Sequence, residues 1–274
     1  MTMHVVLIDA LNLIRRIYAV QERPFLLNKK ELADEYLAES TKQQVLANTL
    51  QACSLALNKI LSQTQASHAL AIFDSENPCW RYQLYPDYKK GRKKMPEYLA
   101  NALTKIQDEF MQQNVDSLIS TEDEADDLIA TLAVKVAKRG RKVTIISTDK
   151  GFLSLLNQSI TIYDYFNRRY LNEEYVKDKF KVNSEQLIDY WMLTGDSTNK
   201  IPGISGIGQV TASSLLNQYQ SLTTLLADEN LKESIKNKLI LAKEQLDITK
   251  QLLTLKKDIP LGFNLKDIRL TAEN

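Results

Sequence analysis

The chain is poor in the features that would place it outside a reducing aqueous setting. Only two of its 274 residues are cysteine, Cys53 and Cys79. Their spacing suits no metal motif, and they make no disulfide framework, which fits a reducing compartment. Net charge is nearly absent, with 35 basic against 34 acidic residues, so no global electrostatic attraction to nucleic acid can be argued and any such case rests on local clusters. No apolar stretch approaches the roughly 20 residues that span a bilayer. The first apolar run is stopped by Asp9 and lacks the basic start and cleavage site of a signal peptide. A cytoplasmic protein without membrane association is expected. There is no internal repeat and no low-complexity tract, and the length suffices for one large domain or two smaller ones.

What the chain does have is acid at the ends of apolar runs. Val5 to Asp9, Ala69 to Asp74 and Val143 to Asp149 are each apolar and each end in aspartate. A carboxylate at the end of a buried strand is costly unless a cation meets it. Strand-like runs at His4–Ala10, His68–Asp74, Val115–Ser120, Lys142–Thr148 and Ile160–Tyr165 alternate with helical patterns. That alternation predicts an α/β fold with a mostly parallel sheet flanked by helices. Parallel strands put their carboxyl ends on one edge, where open α/β sheets bind ligands. The charged segment Asn28 to Gln44 is weakly periodic and reads as a solvated helical insertion without an assigned role. After Arg168-Arg169-Tyr170 the pattern turns helical, with expected helices over Glu173–Phe180, Ser184–Leu193 (Ser184 as N-cap), Gln209–Tyr219 and Leu231–Leu255.

Residues 122–127 carry five carboxylates in six positions. Thr121-x-x-Glu124 reads as a capping box, and Ala125, Leu128, Ile129, Leu132 and Val136 form an apolar stripe that Arg139-Gly140 ends. Acid near a helix N-terminus gains only about 0.3–1 kcal/mol per charge. The pairs Glu122/Asp126 and Asp123/Asp127, four residues apart, would repel. A solvated acidic helix start would carry this charge too, and so would a magnesium-dependent phosphatase. Carboxylates that hold divalent ions, which generate a hydroxide and clamp an in-line displacement, are the sharper reading.

Two further segments bear on that choice. From Arg81 to Lys94 six basic residues interleave with Tyr82, Tyr85 and Tyr88. Such a segment suits phosphates and unpaired bases, although an exposed basic loop has the same composition. Ile201-Pro-Gly-Ile-Ser-Gly-Ile-Gly208 buries isoleucines between tight turns and runs straight into a helix, so the amides near Gly206 to Gly208 make an anion site suited to a DNA phosphate.

Together, Ile8-Asp9-Ala-Leu-Asn-Leu-Ile-Arg15-Arg16, Tyr88-Lys89-x-Gly-Arg92, Glu124-Ala-Asp-Asp127, Ser147-Thr-Asp-Lys-Gly151 and Ile201 to Gly208 resemble the 5′-nuclease, or flap endonuclease, superfamily. The likeness covers nearly the whole chain apart from Asn28 to Gln44. It implies a PIN-like core over residues 1–165 with an arch at about 78–100, then a helical region over 166–274 containing a helix-three-turn-helix DNA-binding unit. It implies a first metal site of Asp9, Asp74, Glu124 and Asp126, with Asp127 beside it, and Mg²⁺ (or Mn²⁺) as the ion. Lys89 and Arg92 would act on the scissile phosphate, with Tyr88 free to stack. The hairpin would hold K⁺ on the backbone carbonyls of Leu193, Thr194, Pro202, Ile204 and Ile207, and DNA on the amides of Gly206, Ile207, Gly208, Gln209, Val210 and Thr211. Asp149 and Asp196 remain of a second metal site, but Gly151 and Asn199 stand where the family has carboxylates, Lys200 adds positive charge, and Val210 replaces a frequent basic residue. The expected protein is a monomeric Mg²⁺-dependent nuclease for DNA with 5′ single-stranded arms, with one firm ion and a weak second one. A catalytically idle flap-binding module is the alternative.

Overall fold

A computed structural model describes residues 3–26, 37–75 and 77–270. The chain enters through β1 (His4–Asp9), α1 (Ala10–Leu26), α2 (Glu39–Thr64) and β2 (His68–Phe73). Short helices α3 (Trp80–Leu84) and α4 (Glu97–Ala100) precede α5 (Leu103–Met111), β3 (Asp116–Ile119), α6 (Ala125–Ala137), β4 (Lys142–Ile146), β5 (Ile160–Asp164) and β6 (Arg169–Leu171). The remainder is α7 (Glu173–Phe180), α8 (Leu187–Thr194), the small hairpin β7 (Gly195–Asp196) and β8 (Ile201–Pro202), then α9 (Gln209–Tyr219), α10 (Leu222–Ala227), α11 (Glu233–Leu241) and α12 (Lys243–Leu253).

The main sheet has strand order β3-β2-β1-β4-β5-β6. The first five strands are parallel and β6 runs antiparallel to β5. The sequence alternation had therefore picked out all five parallel strands. It did not pick out β6, which is three residues long and half exposed, and carries no apolar run. Val5 and Leu7 point into one core while Val6 and Ile8 point into the other. Successive strand residues face opposite sides, so a continuous apolar run means burial on both. One face is covered by α1, α2 and α5. The other is covered by α6 and shares a single apolar cluster with residues of α8, α9, α11 and α12. The helical region is thus welded to the sheet, not hung from it.

Order reverses between β1 and β4, since β1 leads outward to β2 and β3 while β4 leads the other way. Such a switch point opens a crevice at the strands' carboxyl ends. Asp9 is the last residue of β1, Asp74 directly follows β2, and Asp149 lies three residues past β4.

Several local expectations are corrected. α6 starts at Ala125 with Glu124 as N-cap, and the Glu124 side chain makes no capping bond, so Thr121-x-x-Glu124 is not a capping box. Glu122 and Asp123 lie before the helix, and the four-apart repulsion does not arise; Asp123 instead pairs with Lys256 at 2.6 Å. Asn183, not Ser184, caps the segment before α8, in a capping box with Gln186. The expected helix over Leu231–Leu255 is two helices that meet at Ala242. The Asn28 to Gln44 stretch falls partly on residues 27–36, outside the described residues, and its last part joins α2.

Candidate active site

The acidic rim is built at the switch point. Ser147, which follows β4, donates its hydroxyl to Asp9 Oδ2 at 2.7 Å, and Asn12 N–H donates to Asp9 Oδ1 at 3.3 Å. Asn12 also accepts from the backbone and hydroxyl of Thr148, which ties α1 to the loop after β4. Asp74 accepts the first free N–H of α6, that of Ala125, at 2.7 Å. The acid thus does for the helix start what the expected capping box does not. Asp126 stands in the first turn of α6, near enough to Asp9 and Asp149 to feel their charges.

Charge is crowded here. Burial, reinforced by the charges of Asp149 and Asp74 and opposed by the Ser147 hydroxyl, pushes Asp9 up to about 7. Burial, then Asp149 and Asp9, holds Asp126 well above the usual carboxylate range, and burial lifts Asp74 in the same direction. These acids feel one another, as carboxylates that share a site do. Yet, among the described residues, no three acidic, histidine or cysteine side chains converge closely enough to hold an ion as they stand.

Glu124 is already engaged by cations and a hydroxyl. Its Oε2 accepts from Arg81 Nη1 and from the Tyr88 hydroxyl, both at 2.9 Å, and its Oε1 is ion-paired with Lys89 Nζ. Burial alone would lower the Lys89 ammonium, but Glu124 and Asp126 outweigh it and hold it above its ordinary value. The basic segment therefore folds down onto the acids instead of standing over them. Its backbone is fastened as well, because Lys89 N–H donates to the Asn199 carbonyl at 2.9 Å. Tyr88 is 4% exposed and engaged by Glu124, so it is not free to stack on a base here. Arg92 is exposed and lines the same cleft as Asp126, Asp149 and Asp196.

Asp127 does not join the rim. It is fully buried and accepts from Arg81 Nη1 and Nη2 at 2.6 and 2.8 Å, from Trp80 Nε1 at 3.3 Å and from Lys256 N–H at 2.9 Å. Every lone-pair direction of that carboxylate is taken, which corrects the expectation of a role in the chemistry. Arg81 is the residue the sequence concealed. It read as one more charge in a basic run, and nothing local marks it as buried.

Asp149 and Asp196 line the same cleft as Asp126, with local partners. Asp149 Oδ1 accepts from Gly151 N–H at 2.7 Å. Asp196 accepts from Thr198 N–H at 2.9 Å and from Asn199 Nδ2 at 2.7 Å. Asn199 thus caps the acid it would have joined had it been a carboxylate.

The hairpin is placed as its isoleucines predict. Ile201, Ile204 and Ile207 are buried while Gly208 to Thr211 are exposed at the start of α9, which has no side-chain cap. Val210 is 83% exposed. A Cβ at Gly203 would lie 2.3 Å from the Thr194 carbonyl carbon, and one at Gly195 (φ +76°) would lie 2.5 Å from Gly203 N, so both must be glycine for β7 and β8 to close on the end of α8. Leu193 O accepts from Ile204 N–H at 2.8 Å, Ile204 O from Ile207 N–H at 3.0 Å and Pro202 O from Gln245 Nε2 at 3.1 Å. Each carbonyl retains a second lone pair.

A model of the 5′-3′ exonuclease N-terminal resolvase-like domain matches residues 4–181, and one of the 5′-3′ exonuclease C-terminal SAM fold matches residues 182–274. The chain is 65% identical over 274 residues to the flap endonuclease Xni of Colwellia psychrerythraea, covering 100% of this chain and 94% of that protein. It is 46% identical over 266 residues to the flap endonuclease Xni of Psychromonas ingrahamii, covering 97% and 96%. Its fold is similar to that of a bacteriophage T5 flap endonuclease solved as a pseudo-enzyme-product complex with DNA and metal ions, at TM-score 0.68 and 19% identity, covering 92% of this chain and 89% of that one. The two family matches together span residues 4–274, and the chain belongs to the 5′-3′ exonuclease family.

Proposed function

We propose that this protein is a structure-specific flap endonuclease that hydrolyses a phosphodiester in DNA bearing a 5′ single-stranded arm. The observation that carries the reading is the carboxyl edge of the sheet, where Asp9, Asp74 and Asp126 crowd until their pKa values rise and where the basic segment reaches in through Lys89. The 65% likeness to a flap endonuclease supports the same activity.

The donor set fits a hard divalent cation, because the rim offers carboxylate oxygens carrying more negative charge than their neighbours neutralise. Asp9, Asp74, Glu124 and Asp126 would hold it, with Mg²⁺ the first choice and Mn²⁺ a substitute. The bound ion supplies a hydroxide at neutral pH and neutralises charge on the phosphate. This chain's own groups do the rest. Lys89 and Arg92 orient the scissile phosphate and offset its charge, Lys89 once it leaves Glu124. The amides of Gly206 and of Gly208 to Thr211 receive a phosphate of the duplex at the start of α9, as free helix N-termini do, while the Ile207 amide is already given to the Ile204 carbonyl. The carbonyls of Leu193, Thr194, Pro202, Ile204 and Ile207 would hold a K⁺, which would add positive charge at the hairpin. Asp149 and Asp196 give at most a weak second ion site, since local N–H groups already engage both. The division into a nuclease core with its arch, residues 1–165, and a helical DNA-binding region, residues 166–274, follows the same reading. So do monomeric action and a cytoplasmic setting; no helix among the described residues is long and apolar enough to cross a membrane.

The deciding assay is Mg²⁺-dependent cleavage of a labelled 5′-flap duplex compared with the Asp126→Ala variant. Activity in the parent that disappears in the variant is expected. Equal, background-level cutting by both across Mg²⁺ and Mn²⁺ would reject the reading.

A further inference from the structure

Arg81 is 1% exposed, and its guanidinium spends all five N–H donors within the protein. Nε donates to the Leu252 carbonyl at 2.9 Å, at the end of α12. Nη1 is shared between Glu124 Oε2 at 2.9 Å and Asp127 Oδ2 at 2.6 Å. Nη2 is shared between Asp127 Oδ1 at 2.8 Å and the Thr254 carbonyl at 3.3 Å. The Trp80 ring lies under the guanidinium at 4.4 Å and stacks it in place. One planar group therefore fixes three segments that are remote in sequence: the base of the arch, the start of α6 and the end of α12.

The two oxygens of Glu124 are held unequally. Oε2 is bound by a buried arginine that has no freedom left and by the buried Tyr88 hydroxyl. Among the described residues Oε1 is bound only by Lys89, whose side chain is itself 8% exposed but unbranched and held by this one ion pair. We propose that Arg81 is a positioning residue for Glu124: it pins Oε2 and leaves Oε1 as the oxygen that exchanges Lys89 for a divalent ion. Asp127 serves this arrangement by orienting the guanidinium, which accounts for a buried carboxylate next to the rim that never reaches it. Lysine cannot replace Arg81, because a single ammonium cannot reach five acceptors arranged around a plane. The inference rests on the divalent-ion reading above.

The test uses the full-length protein and the variants Arg81→Lys, Glu124→Gln and both together. Charge is unchanged in Arg81→Lys, so an altered ion affinity reports orientation. Mn²⁺ binding by calorimetry should weaken about tenfold in Arg81→Lys, as for other losses of a ligand's supporting partner. The kcat for a 5′-flap duplex should fall by a similar factor with KM unchanged. In the Glu124→Gln background Arg81→Lys should add nothing to the loss of Mn²⁺ affinity, whereas a general structural role would add in full. If Arg81→Lys loses its native thermal transition, the pair Arg81→Met with Asp127→Leu replaces it, since exchanging both members of a buried ion pair for apolar residues of similar volume is often neutral for stability. A parent protein that neither cuts nor binds Mn²⁺ removes the functional reading and this inference together. A parent that does both, with a variant that matches it or an additive double variant, removes the inference alone. Loss of folding in both replacements also overturns it.

Discussion

The acids of the cleft are chemically alike, but Asp9 and Asp126 differ physically from Asp149 and Asp196. Asp9 and Asp126 are pushed up in pKa by burial and by neighbouring acids. Asp149 and Asp196 are each met by a backbone N–H within two residues, and Asp196 also by Asn199. A carboxylate with surplus charge stores unfavourable energy that only an added cation relieves. One that accepts local N–H groups is already stabilised as a turn cap. The difference is burial rather than donor number, since Asp9 accepts two hydrogen bonds as Asp196 does but is buried, while Asp149 and Asp196 are only half-buried.

The comparison breaks most severely at Asp126. Asp126→Ala should cut flap cleavage by about three orders of magnitude, roughly 4 kcal/mol of transition-state stabilisation, if it holds the principal ion. A loss under tenfold in single-turnover cleavage would place the ion elsewhere. Next comes Lys89→Met, expected to lower single-turnover cleavage about a hundredfold, as for loss of a preorganised charge at the reacting group. The same variant should bind Mn²⁺ more tightly by calorimetry, because Glu124 loses the ammonium that competes for it. Weaker Mn²⁺ binding would show that Lys89 does not occupy the ion's ligand.

The second pair is sharpened by restoring it. Gly151→Asp with Asn199→Asp should raise cleavage about tenfold at limiting Mg²⁺, the order expected when another carboxylate-held ion shares the developing charge. A Cβ at Gly151 would meet Asp149 Oδ1 at 3.2 Å, so the new acid lands beside the old one. If the unmodified protein already cuts as fast as this double variant, the thinned site is no handicap.

The smallest effect concerns pH without metal. Asp9 moves from an ordinary 3.8 to about 7 on folding. Its contribution is fully present below the unfolded value and is lost as pH rises through about 7, because the folded state then gives up a proton it holds more tightly than the unfolded chain does. The metal-free melting temperature should therefore fall by several degrees between pH 5 and pH 8, and Mg²⁺ should recover more of it at pH 8. A metal-free melting temperature that is flat or rising over that range would contradict the crowded-rim account.

Legibility followed the range of the interactions. The five parallel strands, α7 and α9 could be read directly, because burial on both faces and helical periodicity are written in neighbouring residues. The split at Ala242 escaped because both helices keep one apolar pattern across it. Tyr88 looked like a stacking ring and Asp127 like a participant in the chemistry. Both are internal, and what internalises them comes from afar: Asp127 meets Lys256 N–H across 129 positions and Tyr88 meets Glu124 across 36.

The order of residues by itself determined the sheet, its helical layers, the acid at each strand end and the glycine hairpin, since periodicity, steric freedom and local charge are short-range properties. Tertiary structure alone decided which of those acids stay in surplus and which are spent. That choice depends on donors such as Arg81, whose contact with the Thr254 carbonyl closes 173 positions of chain, and no local pattern encodes where such a side chain will arrive.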